Sequence, residues 1–217
     1  MRTIQIFDNA NYEAYWTKFK RDSARGIIFI GDKLLMIQSK KFGEYKFPGG
    51  GIESGEKNTD ALIREVKEET GYTLISESIA EYGKTLVLRK GSGENEIFEQ
   101  ESFYYTCKVN EREISTPALD EGYESEYEYS PILVFPCVAI SANEQLLNIS
   151  KIPWVMRDLA VLREIKQKKK WVQCQCSCAH LPQDNWLECV HKSGMIQSER
   201  TYTVSEKLIP LCDPSGK

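Results

Sequence analysis

Hydrophobic and polar positions change period several times along the chain, and each change predicts an element. Thr3 to Phe7 alternates apolar and polar side chains and reads as a short strand. Asn11 to Lys20 carries Tyr12, Tyr15, Trp16 and Phe19 without a clear period and reads as a short helix or a loop. Aliphatic and β-branched residues at Ala24 to Ile30 and Lys33 to Gln38 flank the pair Gly31-Asp32, the pattern of strand, turn, strand. A polar loop from Ser39 to Glu44 leads into Tyr45 and Lys46. From Asn58 the period becomes helical, with Leu62, Ile63 and Val66 in one sector. Thr73 to Ile79, Gly83 to Leu88, Phe98 to Val109 and Ile132 to Phe135 read as strands, and Lys90 to Glu94 as a glycine- and charge-rich turn. An acidic loop runs from Asp120 to Glu126. Pro136 suits the first turn of a helix, and Val155, Leu159, Leu162 and Ile165 form the apolar stripe of a closing one. Strands framing two or more helices predict an α/β sandwich. No internal repeat is found.

Chemistry concentrates between Gly50 and Tyr72. On a helix turning about 100° per residue, Glu65, Glu68 and Glu69 share one sector of surface. Like charges at that spacing repel by a few tenths of a kcal/mol per pair. The cluster therefore points to a positive partner, and a hard divalent cation, Mg²⁺ or Mn²⁺, fits carboxylate donors. Asn58 or Thr59 is placed to cap the helix, Asp60 suits the positive end of its dipole, and Gly71 stands where a left-handed C-terminal cap is needed. Ahead of the helix, Phe47-Pro48-Gly49-Gly50-Gly51 is a proline-stiffened turn whose backbone can approach a phosphate or a metal. Acidic residues on a helix are usually a solvated face. The glycine turn, Glu56 and Arg64 at their spacings reverse that reading.

The stretch resembles the Nudix box, the signature of hydrolases acting on a nucleoside diphosphate linked to another moiety. The box runs glycine, five residues, glutamate, seven residues, then Arg-Glu-apolar-x-Glu-Glu-x-Gly-apolar. Gly50, Glu56, Arg64, Glu65, Val66, Glu68, Glu69, Gly71 and Tyr72 fill its fixed places, Tyr72 being aromatic where an aliphatic residue is usual. The resemblance implies a Nudix-type α/β/α sandwich with a mixed sheet over residues 1 to 169. It also implies that Glu65 and Glu69 are the main metal ligands, with Glu68 assisting and a backbone carbonyl of Gly49 or Gly50 completing the shell. Arg64 would pair with a box glutamate and brace the loop, orienting rather than reacting. Relatives take their general base from the box or from a loop acid outside it, so Glu65 leads and Glu124 and Glu126 are the outside candidates.

Composition narrows the class further. A length of 217 residues suits one sizeable domain plus an extension. The formal net charge of −4 argues against broad electrostatic binding of nucleic acid. The absence of an apolar run of about 18 residues or a signal-peptide core makes the cytosol the expected compartment, with no membrane partner. Seven cysteines, an odd number, fit a reducing environment better than a disulfide framework. Five of them lie in residues 170–217, a C-terminal extension in which Cys174, Cys176, Cys178 and His180 alternate and Cys189 and His191 repeat the spacing. The paired CxxC knuckles of a zinc site are missing, so reduced cysteines packed in a small β extension, or an interface segment, are favoured over zinc.

Substrate choice lies outside the box. Relatives that cleave ADP-ribose or dinucleoside polyphosphates often carry a proline or tyrosine about sixteen residues downstream, and Thr85 to Lys90 offers neither. Tyr12, Trp16, Phe103 and Tyr105 could stack on a base, although aromatics of strands and helices are more often core. The expected function is a Mg²⁺-dependent hydrolase of the diphosphate linkage in a small nucleotide substrate, of the nucleoside triphosphate or nucleotide sugar type. The alternative is a non-catalytic, nucleotide-sensing module acting through a partner. A homodimer is an admissible assembly for either.

Overall fold

The computed structural model describes residues 1–118, 129–149 and 153–168, without the side chains of residues 148, 149 and 153. The acidic loop with Glu124 and Glu126 and the cysteine- and histidine-bearing extension lie outside the described residues, so the division at residue 169 stays an expectation.

Among the described residues the elements run β1 (Thr3–Asp8), β2 (Thr17–Lys20), β3 (Ser23–Ile30), β4 (Lys33–Ser39), β5 (Tyr45–Lys46), β6 (Gly49–Gly51), α1 (Asn58–Thr70) and β7 (Tyr72–Leu74). After a 3₁₀ turn at Ser76–Ser78 follow β8 (Ala80–Lys90), β9 (Glu96–Cys107), β10 (Val109–Ile114), β11 (Tyr129–Val134), α2 (Pro136–Ile149) and α3 (Pro153–Lys168). The main sheet has the order β1-β8-β9-β3-β4-β11, with β2, β5 and β6 attached to β9, β4 and β3. It is mixed: β3 runs parallel to β9, and β8 and β4 run antiparallel to their neighbours β9 and β3. β7 and β10 form a separate two-stranded ladder.

Successive strand residues face opposite sides of a sheet, and the central strands are apolar on both. Ile27, Leu34, Met36 and Tyr104 pack with Ala139 and Ile140 of α2 and Leu159, Leu162 and Ile165 of α3. Ile28, Leu35 and Tyr105, their chain neighbours, pack with Ala61, Leu62 and Val66 of α1. The sheet is therefore covered on both faces, as a three-layer α/β/α sandwich requires. Val155, Leu159, Leu162 and Ile165 are all buried, so the stripe read for the closing helix is its core face.

Several local expectations change. Residues 11–20 yield no helix: Thr17–Lys20 is a strand lying parallel to β9, exposed throughout. Its pairing supplies order that a polar, unperiodic segment does not supply alone. Thr73 to Ile79 shortens to β7 and the 3₁₀ turn. The cap of α1 is Lys57, with extended φ −77° and ψ 145° and no side-chain cap bond, rather than Asn58 or Thr59. At the other end Gly71 takes φ 75° and donates its N–H to the Lys67 carbonyl at 2.8 Å, the left-handed cap its position requires.

Candidate active site

α1 buries Ala61, Leu62 and Val66 against the sheet, and its acidic sector then faces the glycine turn. β6 is that turn. It pairs antiparallel with β3, placing Ser23, Ala24 and Arg25 opposite Gly51, Gly50 and Gly49. Gly49 has φ 132°, and a side chain there would overlap the backbone of Ala24. The turn can lie flat on β3 only because this residue is glycine. Gly50 is different: a Cβ there would meet the Glu65 carboxylate, 2.7 Å from Oε1 and closer to Oε2.

Arg64 gathers the acidic residues. Its Nε and Nη2 donate to the two oxygens of Glu56 at 3.0 and 2.9 Å, its Nη1 to Glu65 Oε1 at 2.7 Å and Glu68 Oε2 at 3.4 Å, and its Nη2 to the Gly51 carbonyl at 3.1 Å. The Glu56 contact is the two-point fork of a guanidinium on a carboxylate. Those bonds, with the Glu53 N–H at 2.9 Å, hold the Glu56 carboxyl below its ordinary pKa, and the same bonds raise that of Arg64. Glu65 moves the other way. Burial raises its pKa most, the Arg64 bond opposes, and the Glu69 and Glu68 charges add to the rise.

Glu69 is buried, 3% exposed, and both oxygens are taken: Oε2 accepts the Gly49 N–H at 2.7 Å and Oε1 accepts Lys46 Nζ at 2.9 Å. Lys46 also lies over the Tyr129 ring, 4.0 Å from its centroid. Glu68 is the most open of the three, its side chain 46% exposed. The donor chemistry fits a hard divalent cation: carboxylate oxygens on one helix face, one pressed against a glycine backbone, and an ammonium already drawn to Glu69. Among the described residues no three such side chains form a ready-made cage. Lys46 occupies one oxygen of Glu69, and Arg64 one oxygen each of Glu65 and Glu68.

Of the residues singled out from the sequence, Glu56, Arg64, Glu65, Glu68, Glu69, Gly49 and Gly50 come together around this turn. Glu124 and Glu126 lie outside the described residues. Tyr105 is core and Phe103 packs against it. Sequence reading passed over Lys46, and over Arg25, whose buried guanidinium donates to the turn; the available signal was a lone arginine in an otherwise apolar strand.

The sequence matches the family described as NUDIX domain over residues 20–147, more than half of the chain. The chain belongs to the NUDIX family. It is 44% identical over 50 residues to the uncharacterized Nudix hydrolase YvcI of Bacillus subtilis, covering 23% of this chain and 32% of that protein. It is 45% identical over 49 residues to an ADP-ribose pyrophosphatase of Methanocaldococcus jannaschii, covering 21% and 29%. To an RNA pyrophosphohydrolase of Erythrobacter litoralis it is 41% identical over 46 residues, covering 21% and 26%. The chain thus spans about a third or less of these NUDIX relatives. Among solved structures, the MutT protein of Bacillus halodurans aligns at TM-score 0.42 and 21% identity over 56% of this chain and 72% of that one. Among the described residues no helix is long and apolar enough to cross a membrane.

Proposed function

We propose that this NUDIX chain is a divalent-cation-dependent hydrolase of the diphosphate linkage in a nucleoside diphosphate derivative, of the nucleoside triphosphate or nucleotide sugar type. The observation that carries the reading is the Arg64 cluster, in which one guanidinium gathers Glu56, Glu65, Glu68 and the Gly51 carbonyl beside the glycine turn. Glu65, Glu68 and Glu69 with the Gly49 or Gly50 carbonyl would hold Mg²⁺ or Mn²⁺. When bound, the cation supplies charge neutralisation for the diphosphate and a more acidic water. Arg64 fixes the carboxylates so that they need not reorganise during the reaction. Glu65 is the leading general base, as the box carboxylate beside the glycine turn. Glu124 and Glu126 are the alternatives on the acidic loop.

The relatives' names include ADP-ribose and RNA as substrates. For this chain the lack of proline or tyrosine at Thr85 to Lys90 favours other derivatives. The compartment that suits such a substrate and seven cysteines is the cytosol. The Lys46–Glu69 pair is the one observation favouring a nucleotide-sensing module, because an ammonium stands where a catalytic cation is required.

The test is phosphate release, coupled to a phosphatase, from nucleoside triphosphates, nucleotide sugars, ADP-ribose and dinucleoside polyphosphates, with Mg²⁺ or with chelator. Metal-dependent turnover of one class is expected. Folded protein that binds nucleotide but turns over none of the panel would favour the sensing module.

A further inference from the structure

We infer that Arg25 is a positioning residue for the glycine turn and, through it, for Glu69, and that Asp158 of α3, in a buried charge cluster, grips the same turn at the Phe47 N–H. The inference rests on the active-site reading above. Arg25 lies on β3 opposite Gly49, with its side chain in the core. Its Nη1 donates to two carbonyls of the turn, Phe47 and Gly49, at 2.9 Å each. Pro48, between them, has no N–H, and its own carbonyl accepts the Gly26 N–H at 2.8 Å. The peptide joining Pro48 to Gly49 is thus fixed at its carbonyl by β3, and its N–H is left pointing at Glu69 Oε2, 2.7 Å away. Rotation of that peptide would remove the bond to Glu69. The double donation by Arg25 on either side prevents it.

The network behind Arg25 begins on α3. Asp158, fully buried, accepts the Tyr104 hydroxyl at 2.8 Å, Arg157 Nε at 2.9 Å and the Phe47 N–H at 3.4 Å. Arg157 extends to Gln100 and Ser102 of β9 at 3.2 and 3.4 Å. The Asp158 charge also acts on Arg25, against the repulsion from Arg157. The turn is therefore gripped from Phe47 N–H to Gly49 carbonyl by groups of one buried cluster.

A purely structural purpose explains this poorly. Burying a second guanidinium beside Arg157 is costly, and Arg25 Nε has no hydrogen-bond partner among the described residues. Neutral donors would satisfy two carbonyls at less cost. What arginine adds is a rigid donor that reaches both carbonyls at once, together with positive charge close behind Glu69. Such groups, one step behind a ligand, set ligand orientation, and their loss typically weakens metal affinity about 10- to 100-fold.

The experiment is Mn²⁺ binding without nucleotide, followed by electron paramagnetic resonance, with melting curves recorded in chelator. Lysine at Arg25 keeps the charge, but its ammonium ends one bond short of the Nη1 position and lacks the rigid guanidinium plane, so it does not hold both carbonyls at hydrogen-bond distance. Arg25→Lys is expected to melt close to wild type and bind Mn²⁺ about tenfold more weakly. Wild-type Mn²⁺ affinity in folded Arg25→Lys would overturn the inference and leave the site reading standing. If Arg25→Lys does not fold, Tyr104→Phe, which loosens Asp158 while leaving the turn's own donors intact, takes its place. A severalfold loss of Mn²⁺ affinity then supports the inference, and unchanged affinity overturns it. Glu69→Gln separates the two readings: if it binds Mn²⁺ as wild type does, or wild type binds none, the site reading falls and this inference with it.

Discussion

Gly50→Ala should separate activity from stability, and Gly49→Ala should do the reverse. At Gly50 the backbone accepts an alanine, and the added Cβ would meet only the end of the Glu65 side chain, 2.7 Å from Oε1. Ordinary contact between such atoms is about 3.5 Å, and Oε2 lies closer still than Oε1, so the carboxylate has to withdraw by more than about 1 Å. A misplacement of about 1 Å in a reacting constellation can cost about a hundredfold in rate, or roughly 2.7 kcal/mol of transition-state stabilisation. The stability cost is small. The displaced Arg64–Glu65 contact is partly exposed and worth about 0–1 kcal/mol, which the reduced chain freedom of alanine offsets by about 0.4–1 kcal/mol. At Gly49, φ 132° strains any side chain by about 1–3 kcal/mol, and overlap with Ala24 backbone adds about 1–3 kcal/mol. For a domain of this size that lowers the melting temperature by on the order of 10 °C. The assay is kcat/KM on the substrate class found by phosphate release, beside thermal melting. Gly50→Ala with wild-type turnover would refute the placement of Glu65 at the reacting centre.

Other perturbations test neighbouring parts of the same construction. Glu69→Gln should reduce turnover roughly a hundred- to thousandfold. It should also cost about 1–3 kcal/mol in denaturant melts, because a buried acceptor of Lys46 and Gly49 loses its charge; full activity would remove Glu69 from the site. Arg64 and the Glu53 N–H hold the Glu56 carboxyl below its ordinary pKa. Its contribution to stability is therefore present above the ordinary carboxylate range and lost as pH falls through the depressed value. Glu56→Gln should accordingly melt below wild type at pH 7, with the two converging in acid; a gap independent of pH contradicts the assignment. Asp158→Ala should destabilise by about 3–5 kcal/mol, since it leaves Arg157 and Arg25 buried without their counter-charge. Melting within about 1 kcal/mol of wild type would show that the charges are better solvated than the contacts imply.

What could be read in the sequence was what is local. Glu65, Glu68 and Glu69 share a helix sector because of their spacing alone, and Gly71 ends that helix because only its own φ is at issue. The stripe of α3 and the β3–β4 hairpin are equally short-range. The N-cap differs from the expectation because Lys57 already takes the extended conformation of a cap residue, with φ −77° and ψ 145°, so Asn58 falls inside the helix. β2 was missed because its four exposed residues carry no pattern and gain their order from pairing with β9. Strand partners, unlike helix partners, are not written at fixed offsets.

The two arginines of the site show the same division. Arg64 reaches Glu56, Glu65 and Glu68 at offsets that recur within one helix and the loop before it, so its role could be inferred from spacing. Arg25 works on the same turn from the other side, and its supports on α3 and β9 are distant in sequence. Between them they hold three alternate carbonyls: Phe47 and Gly49 from the core by Arg25, and Gly51 from the helix side by Arg64. Gly50 is the residue between the two grips, and its missing side chain is what admits the Glu65 carboxylate. The glycine turn is therefore held by charges on both faces, and the motif contains only one of the two.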